Sequence, residues 1–169
     1  MPRRPASTIV DFDEWLSNVH DVFMNAQLMR TLMDREPVVH GATEFMTSPR
    51  GRLERAAMRD LYVLIEAFDA SPPPYLDELR RLAPAELDAV ASLLADRDRV
   101  AALRQIRDYM SHRDVRRYLD IGRLAVVDVG PTWYRTVESA FAELLLLALR
   151  SAHAEREGGR PSLTADGAG

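Results

Sequence analysis

"SPRGRLERAAMRDLYVLIEAFDASPPP", residues 48–74, reads as one amphipathic helix with both of its ends written in. Ser48 and Pro49 form a cap and first-turn pair. A serine oxygen accepts from an N–H of the first turn, and proline brings no N–H to leave unpaired there. Leu53, Ala57, Leu61, Leu64, Ile65 and Phe68 then recur at three- and four-residue spacing, which is one stripe of a 3.6-residue helix. The "SPPP" at 71–74 forces an extended turn, because proline fixes its own backbone and restricts the residue before it.

The same punctuation organises the rest of the chain. Trp15, Val19, Val22, Phe23, Ala26, Met29 and Met33 mark a first helix from about Phe12 to Arg35, ended by Pro37. Shorter helices are expected over 75–82 and 85–95. Val100, Leu103, Ile106 and Met110 mark another, and the last starts at Pro131 and runs to about Arg156. No segment sustains a period of two. "RLAVVDVG" at 123–130 is the one strand-like run, too short and solitary to found a sheet. There is no internal repeat, coiled-coil heptad or glycine-rich phosphate loop. The pattern predicts an all-α protein, an up-and-down bundle of four main helices plus short ones. Residues 12–156 form a single domain in this reading, between a flexible N-terminus (1–11) and a disordered tail, "EGGRPSLTADGAG".

A chain of 169 residues is long enough to bury a core without staples. It has no cysteine, which excludes disulfides, thiolate metal sites and a cysteine nucleophile. Met1-Pro-Arg-Arg-Pro resembles the start of a signal peptide but lacks the apolar stretch that follows in one. "AFAELLLLAL" at 140–149 is interrupted by Glu143 and falls short of the roughly 20 apolar residues that span a bilayer. The expectation is a soluble, cytoplasmic protein with no membrane partner. The Leu144–Leu147 run is apolar on too many sides for a simple surface helix, so one side is core and the other is core or a dimer contact.

Net charge is −4, so the molecule as a whole does not attract nucleic acid. The charge is uneven, however. From Arg97 to Arg123 there are eight arginines against four aspartates, a local excess of +4. Screening confines fields to about 10 Å at moderate salt, so such a patch can hold phosphates on an acidic protein. Every one of the 22 basic residues is arginine, for which a GC-rich genome is the plain cause.

Within this region "RDYMSH", Arg107 to His112, matches an arginine, a polar residue, three variable residues and a histidine. In that order, late in an all-α chain and before one more apolar helix, it resembles the signature of the HEPN superfamily. The resemblance implies a small helical bundle, many members of which are metal-independent ribonucleases. It also implies a homodimer in which motifs from two protomers face each other across the interface. Toxin or phage-defence biology, and an antitoxin or other partner protein, are implied by the resemblance alone. One group carries a tyrosine two residues after the histidine; here Asp114 stands there.

The chemistry of these residue types runs in the same direction. RNA supplies its own nucleophile, the 2′-hydroxyl, so cleavage needs no cofactor. It needs a base of near-neutral pKa, for which His112 is the candidate. It also needs fixed positive charge on the crowded phosphate, where the guanidinium fork of Arg107 suits two oxygens. Asp108, four residues before His112, is placed to orient the imidazole and favour its protonated form. Arg113, Arg116 and Arg117 are candidates for RNA backbone contacts, with a solvated helix face as the plain alternative. Tyr109, Tyr118, Trp133 and Tyr134 are candidates for base stacking or for core packing.

Two other classes compete. A HEPN-like module without nuclease activity would bind a nucleotide or a protein through the same cleft. A metal-binding bundle of the DinB type would gather His20, His112 and His153. No two histidines stand at i, i+3 or i, i+4, so no metal is predicted. His40, in the loop "PVVHGATE", has no partner at a recognised spacing.

Overall fold

The computed structural model describes residues 11–112 and 118–158, so the proposed phosphate contacts Arg113, Arg116 and Arg117 lie outside the described residues. What is described is an all-α bundle. Its helices are α1 (Phe12–Met33), α2 (Ala42–Thr47), α3 (Pro49–Asp69), α4 (Pro73–Leu82), α5 (Pro84–Leu94), α6 (Arg97–His112), α7 (Tyr118–Arg123) and α8 (Pro131–Gly158). Four of them, α3, α4, α5 and α8, begin on a proline, where the missing N–H costs nothing. Ser48 caps α3 as its sequence indicates, accepting from the Gly51 N–H at 3.0 Å.

The long helices α1, α3, α6 and α8 are the four main helices expected. α3 lies against both α1 and α6, and α8 closes the bundle against α1, α4 and α5. Leu61, Leu64 and Ile65 of α3 meet Leu103 and Ile106 of α6 and Phe141, Leu144 and Leu145 of α8 in one buried cluster. Each such side chain contributes roughly 1.5–3 kcal/mol by leaving water. Phe68 meets Phe141 edge to face at 5.5 Å, which joins α3 to α8. Trp133 and Tyr134 are core residues, not an exposed stacking surface. Leu144 and Leu145 are likewise buried while Leu146 and Leu147 are exposed, so the apolar run on α8 has an outward face. No helix among the described residues is long and apolar enough to cross a membrane.

Two segments differ from the sequence reading. The strand-like run is helical: Leu124–Val129 is a π-helical stretch continuing α7. Ala125 and Val129, four apart, are buried, whereas Val127 between them is 67% exposed. A strand would put all three on one face. Gly130 ends the stretch at φ 73°, a left-handed conformation that glycine adopts without penalty, and its N–H reaches back to the Ala125 carbonyl at 3.2 Å. The second difference is α2, which no sequence signal marked. It is clasped between two glycines, Gly51 of α3 and Gly122 of α7, whose missing side chains let the α2 backbone approach closely.

Candidate functional site

α6 remains helical through His112, its last residue. Five residues earlier, Arg107 crosses to α3. Its Nη2 donates to both oxygens of Glu66, at 2.8 and 2.9 Å. Its Nη1 lies 3.0 Å from Asp108 Oδ1. The guanidinium sits over the Tyr62 ring, 5.0 Å from the centroid, a favourable cation–π position. Asp108 also stands 4.0 Å from Arg104. Arg107 is therefore held on three sides, with its side chain 23% exposed, beside a Glu66 carboxylate that is 53% exposed. Its Nε is buried and makes no hydrogen bond among the described residues.

Of the sequence candidates, Arg107 and Asp108 are thus brought together, with Glu66 and Tyr62 added to them. Glu66 is 41 residues away in sequence, so no local signal announces it. The arrangement offers a guanidinium of fixed orientation at a helix end. A phosphate arriving there meets a cation whose two carboxylate partners must make room or be displaced.

A second polar group escaped the sequence reading entirely. At the start of α3, Arg50, Glu54 and Arg55 are each only 8% exposed, inside the bundle where charges are costly unless paired. Arg50 donates to the carbonyls of Met33 and Glu36, at 3.0 and 2.9 Å, and so satisfies the end of α1. Its Nε stands 3.5 Å from Glu54, and Arg135 of α8 approaches the same Glu54 oxygen at 3.9 Å. Arg55 donates to the Phe45 carbonyl and covers the Phe45 ring, which fastens α2 to α3. A cavity of about 220 Å³ opens beside these residues, between α3, the 124–129 stretch and α8. Burial pushes the Tyr134 hydroxyl up, and the adjacent Arg135 guanidinium partly offsets that.

One turn along α8, Glu138 is 1% exposed and accepts from Arg30 Nη1 at 3.1 Å. Burial raises its carboxyl above the ordinary 4.5, while the charges of Arg30 and Arg135 pull the other way. The native state therefore binds this proton more tightly than the unfolded chain does. Stability from this group is fullest below about 4.5 and is lost as pH rises through the raised value. Glu138→Gln keeps an acceptor for Arg30 without the buried charge. Urea unfolding should show the variant gaining on the wild type as pH rises from 4.5 toward neutrality.

Among the described residues no group of three histidines or acids is gathered to hold a metal ion. Comparison with known proteins finds no matching family model, no matching curated protein and no matching solved structure.

Proposed function

We propose that this chain is a metal-independent endoribonuclease of the HEPN type, acting as a homodimer, with the role of a toxin or phage-defence effector. The observation that carries this reading is the Arg107 guanidinium, fixed by Glu66, Asp108 and Tyr62 on a helix whose last residue is His112. Arg107 would hold the scissile phosphate, and His112 would take the 2′ proton. The products would be a 2′,3′-cyclic phosphate and a 5′-hydroxyl.

Positions 107 and 112 lie about 140° apart around an ideal helix. Because α6 is helical through His112, one protomer keeps that separation. A two-fold dimer supplies the missing convergence, since each cleft would draw on both copies of the motif. The exposed Leu146 and Leu147 give α8 an apolar outer face of the kind such contacts use.

Asp108 has a second part beside orienting the His112 imidazole. With its carboxylate on Arg107, it orients the phosphate-binding group. Arg113, Arg116 and Arg117 would track the RNA backbone, so affinity should fall as salt rises.

The rival is a HEPN-like module without nuclease activity. It is favoured by the fact that Arg107 already carries two carboxylates, as a purely structural ion pair would. Incubation of the pure protein with total RNA in EDTA separates the two. The nuclease leaves fragments ending in cyclic phosphate, and light scattering at micromolar concentration gives a dimer. Intact RNA would leave the binding module as the better account, and a monomer would remove the composite cleft.

A further inference from the structure

We propose that the cavity at the foot of α3 is a binding site for a small amphipathic monocarboxylate, with its carboxylate on Arg135 and its hydrocarbon body in the apolar interior. This site shares no residue with the Arg107 cluster, and its existence does not depend on ribonuclease activity.

The walls decide the body of the ligand. Val39, Phe45, Met58 and Val126 line the cavity, and Phe45 and Met58 belong to the buried core. An apolar surface of this kind is poorly served by water and well served by a hydrocarbon chain. The volume is about 220 Å³. With each heavy-atom group taking roughly 20–30 Å³, near the share of a water molecule in the liquid, it holds about seven to eleven such groups. That is the size of a six- to eight-carbon acid.

The charged residues decide the head group. Arg50, Glu54 and Arg135 are the ionic side chains lining the space. Among the lining side chains two cations face one anion, with Asp34 and Glu138 acting on Arg135 from outside the cavity, so the lining itself suits a single negative charge and not two. Arg50 is committed to the α1 carbonyls and to Glu54. Arg135 is the adaptable member: its contact with Glu54 is long, at 3.9 Å, and its side chain is 40% exposed at the edge of the cavity. Its Nε is buried without a hydrogen bond among the described residues. The starts of α3 and α8, at Arg50 and Pro131, both line the cavity, and helix N-termini add to the positive potential. Inorganic phosphate would bring a second charge and no body for the walls, so it is the wrong match.

Hexanoate is the probe, titrated into the full-length protein and followed by NMR shift changes and thermal unfolding. Saturable binding is expected, with acetate, 1-hexanol, hexylammonium and inorganic phosphate at least about tenfold weaker. Arg135→Gln should weaken hexanoate by about tenfold or more, since a charge-assisted bond is replaced by a neutral one. Val126→Trp should block the cavity. Val39→Trp provides a second blocking change at another partly buried wall position, should the first variant fail to fold. Four results would overturn the proposal: no saturation below roughly 10 mM, preference for hexylammonium, binding unchanged by Arg135→Gln, or binding unchanged by a folded blocking variant.

Discussion

His112→Ala should lower RNA cleavage by on the order of a thousandfold, the scale typical of losing a positioned general base. The same variant should unfold within about 1 kcal/mol of the wild type, because alanine suits the last residue of a helix at least as well as histidine does. Retention of the fold is what gives the loss of activity its meaning. Arg107→Lys provides the companion test. Lysine keeps the charge but loses the planar fork that spans Glu66 and Asp108 and suits two phosphate oxygens, so cleavage should fall by on the order of a hundredfold. The wild-type rate should depend on pH near neutrality, with apparent values that belong to the coupled site and not to His112 alone. The predicted contrast is sharp: both variants fold and both cut at a small fraction of the wild-type rate. Should His112→Ala cut as well as the wild type, the nuclease reading is wrong.

The helical framework could be read from the chain because its signals are local. Pro49, Pro84 and Pro131 stand at the first positions of α3, α5 and α8, and the apolar spacing between such marks reports helix after helix. α2 carries no such signal. It is six residues long, too short to be stable alone, and exists because Phe45 and Met46 are buried and Arg55 holds the Phe45 carbonyl. The 124–129 stretch misleads for a related reason. Its valines favour strands as isolated residues, but α7 leads directly into it and α6 packs along it, so tertiary context overrides propensity. The candidate site divides in the same way. Arg107, Asp108 and His112 are visible as a local motif, whereas Glu66 and Tyr62 reach Arg107 only through the packing of α3 on α6. Arg50, Glu54 and Glu138 were hidden for a different reason: a charged residue in a helix reads as solvated, and only the fold shows which charges face inward.

Gly51→Ala should be among the most destabilising single changes in this protein, against the ordinary rule for helices. Alanine in place of glycine within a helix is usually worth about 1 kcal/mol of stability. Gly51 lies inside α3 with an ordinary helical backbone, so propensity alone predicts a gain. Packing predicts the reverse. A β-carbon at this position would stand 2.5 and 2.7 Å from the backbone carbon and Cα of Phe45, and closer still to its carbonyl oxygen. Backbone cannot rotate aside as a side chain can. α2 would have to lift away from α3, breaking the bond from Arg55 and withdrawing Phe45 and Met46 from the core. A net loss of about 2–4 kcal/mol is expected, the range of overpacking with part of a core displaced. A fall in the urea midpoint checks it, and a more stable variant would show that α2 is not held as described. Gly122→Ala presses on α2 from α7, where a β-carbon would stand 2.6 Å from the Ala42 carbonyl oxygen. If the two glycines clasp one element, their effects share a single cost: once either change has dislodged α2, the other has less left to disturb. The double variant should therefore lose less stability than the sum of the two single changes, whereas independent sites would add.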